Sequence, residues 1–263
     1  MFKRELKVNL KSFIIWTIIL LGIFGVVFLV YPSIVASDEI QEMDKMMAIF
    51  PEEMLKAFNM DISSIDSAFG WLKSEGFVFV LLIIGCYAGI TGANILLKEE
   101  NDKTIEYLNS LPLKRWQIVI SKVSCGIIYI LLMTLLLGIF NYIGLVLSGE
   151  FDKKVFILMS ITPIFSSLVI FALCMFLSTF TRKTKKMIGV SLGIVFISYI
   201  LQILSGMSKS IEFLKYISAF TLADIRNVIL NVSINPNMIL ISLGLTILFT
   251  ILTIVRYERK ELV

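Results

Sequence analysis

The sequence contains no histidine and only three cysteines among its 263 residues. Without histidine, a histidine-based catalytic triad, a histidine proton switch and histidine metal ligation are all excluded. Cys86, Cys125 and Cys174 each lie inside an apolar run, so they form neither a CxxC pair nor an even-numbered disulfide framework. We interpret the three thiols as packing residues, because free cysteine is commonly buried as a small hydrophobe.

Charge is also scarce. Charged residues make up 17% of the chain and hydrophobic residues 57%. Soluble domains have more charged residues, about 25%, and fewer hydrophobic residues, roughly 45–50%. The mean hydropathy is +0.90. These values exclude a soluble globule, a disordered tail and a disulfide scaffold, and they predict a polytopic, all-α membrane protein.

Apolar runs long enough to cross a bilayer, which takes about 20 helical residues, predict six transmembrane helices. We place them at Phe13–Tyr31, Phe77–Leu97, Ile118–Leu147, Val155–Phe180, Met187–Met207 and Met238–Val255. Pro163 falls inside the fourth, where a kink is tolerated if neighbouring groups satisfy the freed carbonyl.

The distribution of basic residues predicts the orientation of these helices. With both termini placed inside, sixteen of the 24 lysines and arginines fall in inner segments and eight in outer ones. The positive-inside rule therefore predicts that both termini are cytoplasmic. Residues 32–76 and 208–237 then form the two large outer segments.

The predicted spans contain no acidic residue, and Lys122, near an inner end, is their one basic residue. Ion- and proton-coupled carriers usually have charged groups within the membrane, so this absence argues against such a carrier. The chain also lacks the GxxxxGK[ST] phosphate loop. We therefore expect no enzyme activity and no bound cofactor in this chain, and a partner must supply energy for any active transport.

Two GxxxG pairs occur within the spans, Gly85 with Gly89 and Gly189 with Gly193. Such pairs let two helix backbones approach closely. They indicate either a dimer or gate interface or packing inside one bundle, and spacing alone favours the second interpretation.

The cytoplasmic segment from Lys98 to Lys122, KEENDKTIEYLNSLPLKRWQIVISK, is the most informative part of the sequence. Acidic residues precede a short amphipathic stretch, Pro112 ends it, and basic residues follow, as the helix dipole favours. From its chemistry alone, an ordinary interfacial loop helix is as good an interpretation as a docking helix.

This segment resembles the signature of ABC type-2 permeases, an acidic stretch followed by T-x-E-x-L-x-S-x-P-x-x-R and a lysine in the next span. The matching residues are Glu99, Glu100, Thr104, Glu106, Leu108, Ser110, Pro112, Arg115 and Lys122. Lys103 departs from the pattern, because glycine is common there. Phe50–Asp61, Tyr216–Asp224 and the basic end Arg256–Leu262 are also similar to segments of these permeases.

The resemblance implies a transmembrane subunit that exports a drug, an antimicrobial peptide or a lipid-like substrate across a bacterial plasma membrane. A separate ABC ATP-binding subunit, which carries the ATP and Mg²⁺, would dock on the loop at 98–117. A second copy or a related permease would complete the pore, and we expect no nucleic-acid partner. The docking residues implied are Glu99, Glu100, Thr104, Ile105, Glu106, Tyr107, Leu108, Leu111 and Arg115.

The same resemblance implies an interfacial elbow helix at residues 1–12 and an outer re-entrant hairpin at 208–237. A basic tail that only sets the topology is an equal alternative for residues 1–12. For the whole chain, the alternatives are a stand-alone carrier or channel, and a membrane scaffold that recruits a cytoplasmic protein without transport.

Overall fold

The fold is a bundle of long helices. A computed structural model describes residues 1–35, 67–102 and 114–260, and no strand occurs within these three ranges. The helices are α1 (Phe2–Val35), α2 (Ala68–Trp71), α3 (Phe77–Ile95), α4 (Lys98–Asn101), α5 (Arg115–Ser148), α6 (Lys153–Ile161), α7 (Pro163–Ser178), α8 (Thr184–Met207), α9 (Ile225–Asn231) and α10 (Pro236–Arg259). A π-helical turn, Leu72–Gly76, joins α2 to α3.

Six helical stretches in these ranges are long and apolar enough to cross a membrane, which confirms the predicted number of spans. They are Phe2–Tyr31, Ala68–Ile95, Arg115–Ser148, Lys153–Ser178, Thr184–Met207 and Pro236–Arg259. Each overlaps one predicted span. The all-α membrane fold expected from composition is thereby confirmed.

The centre of the bundle is formed by α3 and α7, which pack against each other. Of the residues in their most apolar windows, 67% are buried, against 22% for α1 and α8 and 17% for α10. Around this pair, α8 lies against α3, α10 lies against α7, and α1 lies against α5. The three peripheral helices therefore present the apolar surface that lipid can cover.

The fourth span is divided at Thr162. Pro163 has no N–H to donate to the Met159 carbonyl, and the Thr162 hydroxyl donates to that carbonyl instead, at 2.9 Å. The Met159 carbonyl therefore has a local hydrogen-bond donor, which is the condition for a proline inside a span. Pro163 becomes the first residue of α7, where proline is well tolerated.

The N-terminal helix α1 is continuous from Phe2 to Val35, with no break near Ser12. At 1.5 Å per residue its length is about 50 Å, more than the roughly 30 Å of a hydrocarbon core. The first turns of α1 can thus extend beyond the apolar layer without a separate element. The interfacial elbow at residues 1–12 stays a prediction.

The segment before the last span folds back onto the bundle through two 3₁₀ turns, Lys209–Tyr216 and Ala219–Ala223, and helix α9. Phe220 is fully buried, and its ring lies 3.0 Å from the position that a Cβ on Gly85 would occupy. The Ser218 hydroxyl donates to the Ser198 carbonyl at 2.6 Å. The segment is therefore fastened to α3 and α8, while its re-entrant position in a membrane stays a prediction.

Candidate functional site: charged contacts at the basic end

Six helix termini meet at one end of the bundle, which we call the basic end: the starts of α1, α5 and α8 and the ends of α3, α7 and α10. Most of the lysines and arginines assigned to inner segments belong to these termini. The predicted docking loop, 98–117, starts and finishes here. Residues 103–113 of that loop lie outside the described ranges.

Lys122 is the centre of a buried ion-pair cluster at this end. It lies two turns into α5, and it is 0% exposed. Its ammonium nitrogen is 2.6 and 2.8 Å from the two carboxylate oxygens of Glu99 and 3.3 Å from Oε2 of Glu5. It also donates to the Ile95 carbonyl at 2.7 Å. We name Glu5, Glu99 and Lys122 the Lys122 cluster.

The Lys122 cluster joins three helical segments. Glu5 belongs to α1, Glu99 to α4 directly after the second span, and Lys122 to α5. A lysine in an apolar span is costly unless it is paired and hydrogen-bonded. The pairing of Lys122 therefore requires α1, the start of the loop and α5 to keep their relative positions.

Neighbouring contacts strengthen the α1–α5 side of this cluster. The Tyr129 hydroxyl donates to the Leu6 carbonyl, and the rings of Phe13 and Tyr129 stack with their centroids 4.8 Å apart. The Asn9 side chain donates to the Glu5 carbonyl at 2.9 Å. The basic N-terminal turns are thus packed into the bundle.

A second group of contacts, the Lys260 group, attaches the end of α10 to both ends of the loop. The Lys260 ammonium is 2.7 Å from Oε1 of Glu100 and donates to the Thr181 carbonyl at 3.1 Å. Arg115, the first residue of α5, donates through Nη1 to the carbonyls of Tyr257, Glu258 and Lys260 at 3.3, 3.0 and 2.8 Å.

Arg115 acts as a cap for α10. The last carbonyls of a helix have no hydrogen-bond partner within the helix, and they form the negative end of its dipole. A guanidinium there both donates hydrogen bonds to these carbonyls and compensates the negative charge. Arg115 lies near the end of the loop at 98–117, whereas Glu100 lies near its start. Both ends of the loop are therefore connected to the C-terminal end of α10.

Three of the nine predicted docking residues are described, and the structure brings them together. Glu99 and Glu100 lie near the start of the loop at 98–117, and Arg115 lies near its end. All three make contacts within the chain. Glu99 is 5% exposed, which leaves little of its carboxylate for a partner protein. Thr104, Ile105, Glu106, Tyr107, Leu108 and Leu111 lie outside the described residues.

Two residues of these contacts, Glu5 and Lys260, were not predicted from the sequence as site residues. A signal for Glu5 was present, since a lysine alone in an apolar span needs a carboxylate and Glu5 precedes the first apolar run. No comparable signal linked Lys260 to Glu100, which lies 160 residues earlier in the chain.

The class of protein defined by this fold is a polytopic helical membrane protein in which residues before and after positions 103–113, between the second and third spans, make charged contacts with neighbouring helices. A family model described as "ABC-2 family transporter protein" matches residues 1–262. The chain therefore belongs to the ABC-2 transporter family, which confirms the resemblance. A search of curated proteins found no match to the chain.

Family membership establishes a coarse function. The chain is a transmembrane permease component of an ABC transporter, and it is expected to work with an ABC ATP-binding subunit in a membrane. The contacts at the basic end are ion pairs and helix caps. These contacts are structural, because they hold the helices in fixed positions relative to each other.

Proposed function

We propose that this chain is the permease subunit of an ATP-driven exporter, and that the ATP-binding subunit docks on the loop at 98–117. The observation that carries the proposal is that residues at both ends of this loop are attached to several helices, by ion pairs at Glu99 and Glu100 and by hydrogen bonds from the Arg115 guanidinium to backbone carbonyls. A movement applied to the loop would therefore be passed to α1, α5 and α10 together. Family membership supports an ATP-binding subunit as the source of energy, and the contacts offer a path for the movement.

In this proposal the nine docking residues divide into two groups. Glu99, Glu100 and Arg115 anchor the loop within the permease, since their charged atoms already have partners there. Thr104, Ile105, Glu106, Tyr107, Leu108 and Leu111 are the candidates for contact with the ATP-binding subunit. Charged residues that already have partners within the permease can hold the two ends of the loop, which leaves its apolar residues as the candidates for contact with the ATP-binding subunit.

The proposed orientation places the basic end in the cytoplasm of a bacterial cell, with both termini inside. The positive-inside rule supports it, and so does the need for the docking loop to reach a cytoplasmic ATPase. A second copy or a related permease would complete the translocation pathway. A drug, an antimicrobial peptide or a lipid-like molecule is the proposed class of substrate.

The proposal is tested with the complex purified from cells through a tag on the permease. We expect an ATP-binding subunit to copurify and to hydrolyse ATP. The double variant Glu106→Ala/Leu108→Arg should lose most of the copurifying subunit, because it removes one polar and one apolar docking contact. The matched control is Lys153→Ala/Lys154→Ala, two exposed lysines at the opposite end of the bundle.

Two results would overturn the proposal. One is a complex whose subunit content and ATP hydrolysis are the same for the loop variant and the wild type. The other is an equal loss in the control variant. Thermal unfolding of each purified permease shows whether the variants are folded.

A further inference from the structure

A cleft with a volume of about 740 Å³ opens at the basic end between the α3–α4 junction and the α7–α8 junction. Five basic residues line it, against a single acidic residue, Asp102. The basic residues are Lys98, Arg182, Lys183, Lys185 and Lys186. The ammonium groups that hold the basic end together, those of Lys122 and Lys260, do not line this cleft. The basic residues of the cleft are therefore different from the two lysines, Lys122 and Lys260, that pair with Glu99 and Glu100 of the loop.

Lys186, which lines the cleft, is the first residue of a strip along α8. Lys186, Gly189, Gly193 and Ile197 follow each other at intervals of three or four residues, so they share one side of the helix. A Cβ added to Gly189 or Gly193 would meet no heavy atom within 4 Å. Ile197 is 59% exposed. This side of α8 is a shallow trough of bare backbone bordered by apolar side chains.

The two GxxxG pairs of the sequence thus have different surroundings. Gly85 and Gly89 face Phe220 and Ser191, which lie 3.0 and 3.4 Å from their built Cβ positions. That pair serves packing within the chain, as its spacing favoured. The Gly189–Gly193 pair packs against nothing in the described residues, and it leads directly from the basic cleft along the spanning helix.

We propose that the cleft binds the phosphate headgroup of an anionic phospholipid, with an acyl chain lying along Gly189 and Gly193. Basic pockets between spanning helices on the cytoplasmic side suit such headgroups, and each nearby lysine or arginine contributes about 1 kcal/mol to attraction toward anionic lipid. A free phosphate ion would use the cleft without the strip. An acidic protein surface would leave the strip uncovered, and a second copy of this chain would bring the same basic residues toward the cleft, so the combination favours a lipid.

The test is a titration of the detergent-purified permease with phosphatidylglycerol, followed by native mass spectrometry, with phosphatidylcholine and inorganic phosphate in parallel. We expect phosphatidylglycerol to bind selectively. The variant Lys183→Gln/Lys185→Gln/Lys186→Gln should weaken its binding roughly a hundredfold, from three lost charges. The exposed pair Lys153→Gln/Lys154→Gln, at the opposite end, should leave binding unchanged.

A second variant tests the strip without changing charge. Gly189→Leu/Gly193→Leu fills the trough on an exposed helix side, so it should fold normally and still weaken phosphatidylglycerol binding. Inorganic phosphate should compete poorly, since it has no chain for the strip.

Several results would overturn the lipid site. Equal binding of phosphatidylcholine, full binding by the triple-glutamine variant, or full binding by the double-leucine variant would each do so. Competition by inorganic phosphate as strong as that by lipid would assign the cleft to a free anion instead. The triple-glutamine variant is also purified from cells through its tag, and if it kept its lipid but lost the copurifying ATP-binding subunit, the cleft would be a protein-docking surface. No arm measures ATP hydrolysis, so the result is independent of the docking proposal.

Discussion

Lys122 shows how a single residue can determine the arrangement of several helices. Its ammonium is fully buried and is shared between Glu99, Glu5 and the Ile95 carbonyl. Such a cluster is not evidence of high stability by itself, because desolvation offsets much of the attraction. Removing one partner has a different effect, since it leaves an uncompensated charge in an apolar environment.

The variant Lys122→Met is therefore expected to destabilise the permease by roughly 3–5 kcal/mol. Two carboxylates would remain buried without their cation. The triple variant Glu5→Gln/Lys122→Met/Glu99→Gln should regain a large part of that loss, because it removes all three charges. Thermal unfolding of the detergent-purified protein measures both effects.

The control for this prediction is Lys153→Met. Lys153 is exposed, so its replacement should change stability by no more than about 0.5 kcal/mol. An unfolding temperature for Lys122→Met equal to that of the control would contradict the assignment of the cluster. So would a triple variant less stable than Lys122→Met.

Sequence patterns identified some members of the Lys122 cluster but not their contacts. Lys122 was recognisable as an isolated charge in a span, and Glu99 as part of a motif. Their contact depends on the geometry of two helices that leave and re-enter the membrane, which local patterns do not contain. Docking contacts at Glu99, Glu100 and Arg115 stay predictions, and the structure adds that their charged groups have partners within the permease.

Glycines set the spacing of the central helices. The backbone of α3 at Gly92 lies so close to α7 that a Cβ would be 2.3 Å from the Phe171 carbonyl oxygen. On α5, a Cβ at Gly126 would be 2.2 Å from the Phe171 ring. Neither glycine belongs to a GxxxG pair named from the sequence. Spacing identified small residues, but only the packed helices show which of them face a neighbour.

The variant Gly92→Ala is expected to destabilise the permease by about 1–3 kcal/mol, because the obstructing atom is backbone and cannot rotate away. Unfolding by heat or denaturant in detergent provides the measurement.

Gly189→Ala is the matched control, since it places the same methyl group on a helix where nothing lies within 4 Å. It should be neutral or stabilising by up to about 1 kcal/mol, as alanine favours helix over glycine. The close α3–α7 approach would be refuted by a Gly92→Ala protein as stable as the Gly189→Ala protein.

At the scale of the whole molecule, both chain ends lie at the basic end. Glu5 near the N-terminus contacts Lys122, and Lys260 near the C-terminus contacts Glu100. An even number of spans places both ends on the same side, and the apolar runs of the sequence were sufficient to predict six spans. Hydropathy identifies spans well because a spanning helix must satisfy its backbone internally and must be apolar outside. The order of packing around α3 and α7 required the structure.

The proposed orientation predicts a specific labelling pattern for single cysteines in a background with Cys86, Cys125 and Cys174 replaced by alanine. A membrane-impermeant maleimide should label Lys154→Cys in intact cells. Lys185→Cys should react only after permeabilisation, because the basic end faces the cytoplasm. Both lysines are exposed in the bundle, so access depends on the side of the membrane.

The reverse pattern would place the basic end outside and would exclude docking of a cytoplasmic ATPase on the loop at 98–117. Labelling of both sites in intact cells would indicate leaky membranes, which a cytoplasmic marker protein in the same cells detects.

The central claim is that the ATP-binding subunit contacts this loop directly. The most direct measurement is photo-crosslinking in cell membranes, with benzoylphenylalanine in place of Leu108 and, as a control, in place of the exposed Phe213 near the opposite end. We predict a crosslinked product of the permease and the ATP-binding subunit from position 108 and none from position 213. The absence of this product at position 108, or equal yields at the two positions, would contradict the account.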